Sequence, residues 1–160
     1  MDRRALLVGG LLSGASFSPA WAQDSAAKSL PLRFAAALTA ADMKAFADLF
    51  AEDYVNHQIS AAAPAPAGKS MKRATVEFFT NRVNALSGLT VSVETSLAEG
   101  DKCAASFVYE GVHDAVYYGY APTGRKLRFT SCDIFRVAEG KIAEHWGMGD
   151  IAGVLAQLKG

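Results

Sequence analysis

The stretch "DIFRVAEGKIAEHWGMGD", residues 133–150, sets the folding pattern of this chain, since it predicts two strands joined by a tight turn at residues 139–140. In a hairpin with this loop, Asp133 pairs with Trp146. Cross-strand partners share one face of a sheet. The pairing therefore predicts that Asp133 lies on the same face as a large apolar residue.

The residues before the turn divide between two faces of the strand. One face carries Leu127, Phe129, Ser131, Asp133, Phe135 and Val137, the last opposite Ile142. The other face carries Arg128 and Arg136. A slip of one residue would bury both arginines, which is costly. We therefore expect Asp133 to point inward, on the core face.

An inward carboxylate is a candidate general acid or base, a role worth about 10²–10⁴ in rate. Asp133 fits this role, but it fits equally well as a buried residue hydrogen-bonded to Trp146, to a tyrosine or to the backbone. Glu144 has the same predicted parity, so it is a candidate second acid and ligand contact. Its alternative is a half-buried residue bonded to a helix end or an arginine. His145 has the opposite parity and is predicted at the surface.

Histidines and aromatic residues supply the other candidates. His113 ends an inward-facing strand pattern at residues 103–113 and is a candidate at the rim of a pocket, or else a core histidine. Asn56 and His57, in "YVNHQ", could polarise a substrate carbonyl or cap the segment. The aromatic residues indicate a pocket for a flat or apolar ligand, although they also suit a core or a dimer face. The predicted ligand contacts are Asn56, His57, Phe107, Tyr109, Phe129, Phe135, Glu144 and Trp146.

Helices are predicted before the strands. Residues 23–30 form a polar lead-in, and a first helix follows at about residues 32–38 with Pro31 in its first turn. Asp42 and Ser70 are N-cap residues for a second and a third helix, and Gly88 is a natural stop for the third. Asp150 caps a last short helix. The strands from residue 89 onward then give an α+β fold, with a curved antiparallel sheet covered on one face by helices and a pocket between the layers.

The first 22 residues, "MDRRALLVGGLLSGASFSPAWA", have the pattern of a signal peptide, with cleavage predicted after Ala22. Export to the periplasm or outside the cell is therefore expected, and Arg3-Arg4 also allows the twin-arginine route. A single domain of residues 23–160 would remain, with 14 Lys plus Arg, 15 Asp plus Glu and a net charge of −1. This charge disfavours nucleic acid as a partner, and no apolar run in the mature chain predicts a membrane span.

Several site types find no support in the sequence. Cys103 and Cys132 have opposite strand parity, so two unpaired thiols are expected rather than a disulfide. The spacing of Cys and His residues does not predict a metal site. The sequence also lacks GxSxG, HExxH and a Gly-rich phosphate loop, so it gives no support to hydrolases and nucleotide enzymes of those kinds.

Two segments resemble the SnoaL-like polyketide (ester) cyclase family, within the superfamily of ketosteroid isomerase, scytalone dehydratase and nuclear-transport-factor-like domains. They are "LFAEDYVNHQ" (49–58) and "GVHDAVYYGYAPTGRKLRFTSCDIFRVAEGKIAEHWGMGD" (111–150). The resemblance implies a cone of a curved, mixed, largely antiparallel sheet wrapped on three helices, usually as a dimer or higher homo-oligomer. It also implies that Asp133 is the general acid/base, assisted by Asn56, His57 and His113, without a metal or organic cofactor.

The sequence thus favours an exported, cofactor-free enzyme that acts on a small, partly apolar carbonyl compound by cyclisation, isomerisation or dehydration. Asp133 and His113 are its predicted catalytic residues. The alternative is a non-catalytic periplasmic module on the same fold, which binds a small molecule or a partner and uses Asp133 only as a hydrogen-bonded core residue.

Overall fold

A computed structural model describes residues 20–58 and 66–160. Its elements are α1 (Ala20–Thr39), α2 (Met43–Asp48), β1 (Phe50–Asn56), α3 (Met71–Ala85), β2 (Leu86–Glu99), β3 (Lys102–His113), β4 (Lys126–Ala138), β5 (Lys141–Gly149) and α4 (Ile151–Lys159). The strand order is β1-β5-β4-β3-β2, and β1 runs parallel to β5 while the other neighbours are antiparallel. This mixed sheet with its preceding helices confirms the predicted α+β class.

The predicted helix caps are confirmed. The side chains of Asp42, Ser70 and Asp150 each accept a hydrogen bond from a backbone N–H three residues later, at the starts of α2, α3 and α4. These bonds satisfy N–H groups that have no partner within the helix. The short polar residues in the sequence therefore place three helix starts correctly.

Two predicted boundaries were wrong. α1 begins at least ten residues earlier than predicted and contains Pro31, since Ala27 and Leu30 are fully buried and their packing outweighs the cost of an internal proline. Gly88 does not end α3 but lies within β2, at a positive φ of 61°. The pairing of β2 with β3 shifts beside it, so Gly88 serves a β-bulge.

The core lies between α1 and the inner face of the sheet. The ring of Phe34 stands 5.0–5.5 Å from those of Phe46, Phe79, Phe107 and Phe135. The predicted inward residues of β3 and β4 are buried, including Phe107, Tyr109, Phe129 and Phe135. These four candidate ligand contacts therefore belong to the hydrophobic core.

A bulge in β5 changes the face of every residue that follows it. Val137 pairs with Ile142 as predicted, but Arg136 then pairs with Glu144, which leaves Ala143 as an extra residue. The register places Gly147, not Trp146, opposite Asp133. The predicted inward parity of Glu144 and Trp146 and the predicted surface position of His145 were therefore wrong.

Other predictions concern the termini and the thiols. Residues 1–19 of the predicted signal peptide lie outside the described residues, so export stays a prediction, as does the homo-oligomer. Cys103 is buried and Cys132 is exposed, and both are free thiols, as expected. Of the helices in the described ranges, none has the length and apolar character needed to cross a membrane.

Candidate active site

The centre of the site is a buried pair of Asp133 and His145. Asp133 Oδ1 and His145 Nε2 are 2.8 Å apart, and the two side chains are only 8% and 6% exposed. The imidazole also stacks on Phe135, with 4.8 Å between ring centres. Asp133 is on β4 and His145 on the neighbouring β5, so the hairpin brings the two groups together across the sheet.

Ser131 holds the second oxygen of the carboxylate. Its hydroxyl donates to Asp133 Oδ2 at 2.5 Å and lies 3.4 Å from the Tyr109 hydroxyl. Burial raises the pKa of Tyr109 to about 12, so this phenol keeps its proton at neutral pH. Tyr109 can therefore donate to Ser131 while Ser131 donates to Asp133.

Tyr54 fixes the other side of the imidazole. Its hydroxyl lies 3.2 Å from His145 Nδ1, and β1 delivers it to this position by pairing in parallel with β5. Burial raises the pKa of Tyr54, so the phenol remains a donor. With Nδ1 accepting from Tyr54, the proton of a neutral imidazole resides on Nε2 and points at Asp133.

Gly147 has no side chain, which leaves room for the pair of Asp133 and His145. A Cβ at this position would stand 2.5 Å from His145 Nε2 and closer still to Asp133 Oδ1. Any side chain at residue 147 would therefore displace one of the two groups. Glycine at this point in β5 permits close approach of the backbone to Asp133.

The arrangement suits proton transfer. An ionised carboxylate can accept about four hydrogen bonds, of which His145 and Ser131 supply two. Its remaining lone pairs have no further hydrogen-bond donor among the described residues. The Nε2–H of the imidazole donates to Asp133 Oδ1 and thereby stabilises an ionised carboxylate.

The predicted catalytic partner His113 does not reach this site. Asp133 is opposite Ala105 on β3, and His113 follows eight residues later, about 26 Å along the strand. His113 is fully buried, and its Nδ1 is 3.0 Å from Thr123 Oγ1. The prediction that His113 points inward is confirmed, but His113 lies too far along the strand to contact Asp133.

His57, Glu144 and Trp146 form a cluster on the face of the sheet opposite Asp133, where Arg136 also lies. Glu144 binds His57 Nε2 at 2.8 Å and Arg136 Nε at 2.6 Å. Hydrogen bonds from His57 and then from Arg136 lower the pKa of Glu144, so it stays ionised at neutral pH. His57 stacks on Trp146 at 4.4 Å. The predicted alternative for Glu144, a half-buried acid bonded to an arginine, is the one observed.

Asn56 ends β1 beside His145 in the register of the sheet. Its side-chain oxygen accepts a hydrogen bond from the backbone of Gln58. This contact matches the capping alternative that the sequence left open for the segment.

Sequence reasoning missed His145, Tyr54 and Gly147. Gly147 was the available signal, because a glycine inside a strand often marks a bulge or a close approach. Nothing in the sequence reveals Tyr54, since its role depends on the parallel pairing of β1 with β5, a contact between residues about 90 positions apart. Within the described ranges, no group of three or more His, Cys, Asp or Glu side chains is placed to hold a metal ion.

Comparison with known proteins gives a match to one family model and to several solved structures. A family model described as SnoaL-like polyketide cyclase matches residues 29–158. No match was found among curated proteins. IdmH from Streptomyces antibioticus, described as a proposed polyketide cyclase, is 27% identical, with a TM-score of 0.70 over 84% of this chain and 99% of its own.

Two further solved structures share the fold at lower identity. TsrD from Streptomyces laurentii is 22% identical, with a TM-score of 0.72 over 84% of this chain and 95% of its own. AclR from Streptomyces galilaeus, a proposed hydroxylase, is also 22% identical, with a TM-score of 0.71 over 85% of this chain and 97% of its own. At this identity the two structures support the fold alone.

Proposed function

Because the chain belongs to the SnoaL-like polyketide cyclase family, we propose that it is a cofactor-free acid–base enzyme in which Asp133 moves the proton. Its substrate is a small, partly apolar carbonyl compound, and its reaction is an aldol cyclisation, an isomerisation or a dehydration. The family and the likeness to IdmH support an enzyme of the cyclase or isomerase type. The carbonyl substrate and the role of Asp133 are our own assignments.

The observation that carries the proposal is the buried pair of Asp133 and His145. A carboxylate in a core is expensive unless other groups stabilise it, and here an imidazole and a hydroxyl are aimed at its two oxygens. A buried site in which three polar side chains meet is typical of acid–base centres, although structural hydrogen-bond networks also have this form.

The proposed step is removal of a proton from the carbon next to the carbonyl. The C–H bond breaks, an O–H bond forms on Asp133, and the electron pair moves into an enolate. Asp133 then returns the proton to another atom of the same molecule. His145 and Tyr54 hold the carboxyl group in place throughout.

Deuterium uptake tests this step without knowledge of the final product. A panel of aryl ketones and β-keto esters is incubated with the protein in D₂O, and exchange next to the carbonyl is followed by NMR. Asp133→Asn keeps the size of the side chain and should lower enzyme-dependent exchange by about 10²–10⁴. Asp53→Asn, on an exposed residue of β1, is the matched control and should keep full exchange. Full exchange in Asp133→Asn would exclude Asp133 as the base.

A second candidate is a binding module that uses Asp133 only as a structural residue. Both oxygens of Asp133 already have partners within the core, which favours this alternative. In that case Asp133→Asn should lower the melting temperature, and no compound of the panel should exchange faster with the wild-type protein than in buffer. An active wild-type protein with an inactive but equally stable variant would reject the binding module.

A further inference from the structure

One cation shares the protein core with Asp133. Among the Asp, Glu, Lys and Arg side chains of residues 20–58 and 66–160, only Asp133 and Arg82 of α3 are buried. In the same ranges, no carboxylate lies within 4 Å of the Arg82 guanidinium. Removing an ion from water is costly unless an opposite charge offsets the cost. The core therefore holds one charge of each sign, and neither has a direct partner of fixed opposite charge.

An aromatic cage encloses the guanidinium. Its Cζ stands 4.7–5.1 Å from the ring centres of the four residues of this cage, Phe78, Phe79, Tyr109 and Phe129. The Nε of Arg82 donates to the Tyr117 hydroxyl at 3.0 Å, and the Tyr118 hydroxyl also interacts with Arg82. These contacts fix the position of the cation, but none of them carries a full negative charge. The positive charge of Arg82 therefore acts on its surroundings from a fixed point in the core.

Tyr109 connects this cation with Asp133. The ring centre of Tyr109 lies 4.7 Å from Arg82 Cζ, and its hydroxyl lies 3.4 Å from Ser131 Oγ. Ser131 in turn donates to Asp133 Oδ2 at 2.5 Å. Burial raises the pKa of Tyr109 to about 12, while the charge of Arg82 opposes this rise and the charge of Asp133 adds to it. Both buried charges thus act on the same phenol.

The position of the cation strengthens the hydrogen bonds that lead to Asp133. A positive charge over the ring favours the phenolate form of Tyr109, so its O–H becomes a better donor to Ser131. A stronger bond at Ser131 polarises the serine hydroxyl, which then donates more strongly to the carboxylate. Hydrogen bonds to the charged form of an acid favour ionisation. Arg82 therefore favours an ionised Asp133 without touching it.

Other titratable groups also face Asp133. His145 of β5 donates to its other oxygen, and Tyr54 of β1 lies behind that imidazole. The buried Cys103 of β3 shares the inner face of the sheet. The thiol and the phenol carry no positive charge, and the neutral imidazole already contributes its single N–H. Arg82, by contrast, keeps its charge over the whole pH range in which a carboxylate titrates.

We propose that Arg82 is the counter-charge of Asp133 and that, acting through Tyr109 and Ser131, it keeps this carboxylate ionised and ready to accept a proton. Arg82 is thus a positioning residue. Its importance for catalysis rests on the proposed function, in which Asp133 is the base, but its electrostatic effect can be measured without turnover. At a separation on the order of 10 Å and an effective dielectric constant of about 20, loss of the cation should raise the pH at which Asp133 takes up a proton by about one unit.

Carbon-13 NMR of the full chain, labelled at the aspartate carboxyl carbons, measures this effect. The Asp133 signal is identified by its absence in Asp133→Asn, and the pH midpoint of its titration is compared between variants. Arg82→Met places an uncharged side chain in the aromatic cage and should raise the midpoint by about one pH unit. Arg82→Lys keeps the charge and should shift it less. Arg73→Gln, which removes an exposed cation from the same helix, is the control and should leave the midpoint unchanged.

Tyr109→Phe tests the route between the two charges and guards against misfolding of Arg82→Met. It removes the hydroxyl but keeps the ring and the cation, so it should itself raise the midpoint of Asp133. In the Tyr109→Phe background, Arg82→Met should then cause a smaller shift than it does alone. The proposal would be rejected by an unchanged midpoint in folded Arg82→Met, by an unchanged midpoint in Tyr109→Phe, or by equal shifts in the two backgrounds.

The pH profile of deuterium exchange separates this role from the proposed function. Where both hold, the pH below which exchange is lost should rise in Arg82→Met together with the midpoint of the Asp133 signal. A midpoint that moves while wild-type exchange is absent, or while the exchange profile stays in place, would contradict Asp133 as the base and leave Arg82 as its counter-charge. An Arg82 with a purely structural role would lower the melting temperature in Arg82→Met without moving the midpoint, and that result would overturn the proposal.

Discussion

At the scale of single residues, the site depends on what faces Asp133 from the next strand. β5 places the imidazole of His145 beside Asp133, and the backbone of Gly147 lies directly opposite Asp133 in the register. The inward direction of Asp133 follows from strand alternation and was predictable, because the reverse would bury two arginines. Its partner was not predictable, because a single inserted residue decides which side chain of β5 reaches the same face.

Gly147→Ala tests this tight approach. The added methyl group would overlap Asp133 Oδ1 and His145 Nε2, so we expect a loss of about 1–3 kcal/mol in the free energy of unfolding, together with loss of any activity that needs the pair. Gly149→Ala is the control on the same strand, because its Cβ would meet only Ile151 Cδ1 at an ordinary 3.7 Å. Urea unfolding of both variants measures the difference. Equal stability of the two would show that the pair tolerates the methyl group.

At the scale of elements, the bulge at Ala143 determines which residues form the site. It turns His145 inward and moves Glu144 and Trp146 to the outer face, where Glu144 meets Arg136. Hairpin length alone predicts the pairing next to the turn, and there the prediction was right. A bulge is set by packing against other elements, including β1, and apart from Gly147 the local sequence of β5 carries little sign of it.

Deletion of Ala143 should leave the site in place, because it removes only the extra residue of the bulge. Val137 would still pair with Ile142 and Arg136 with Glu144, so His145 would stay opposite Phe135 on the inner face and keep its contact with Asp133. We therefore expect only a modest change in the melting temperature measured by circular dichroism. Ala143→Ser keeps both the residue count and the bulge, and it is the control. A deletion variant that no longer folds would show that the bulge does more than set the face of His145.

At the scale of the whole molecule, the order of helices and strands was predictable because caps, turns and alternation are local signals. The parallel pairing of β1 with β5 and the full length of α1 were not, since both depend on contacts with distant parts of the chain. The same distinction separates two of the buried polar side chains, Asp133 of β4 and Arg82 of α3, which is 5% exposed. The alternation of β4 revealed Asp133, whereas the aromatic cage of Arg82 is assembled from α3, β3 and β4 and has no local signature.

The buried phenols should make the fold sensitive to alkali. Tyrosines of the unfolded chain ionise near pH 10, whereas burial raises the pKa of Tyr109 to about 12 and raises that of Tyr54 further. A raised pKa in the folded state means that the unfolded chain releases its protons first. The stability that these two phenols contribute is therefore fully present below about pH 10 and is lost as the pH rises towards 12.

Urea unfolding at intervals from pH 8 to pH 11 measures this loss. For Tyr109 alone we expect a decrease on the order of 1 kcal/mol by pH 11. Tyr109→Phe has no proton to lose, so its stability should fall less steeply over the same range. Cys103 contributes in the same direction, because burial raises the pKa of its thiol to about 11, and Cys103→Ala in both backgrounds removes that contribution. Parallel curves for the wild-type protein and Tyr109→Phe would show that folding does not raise the pKa of the Tyr109 phenol.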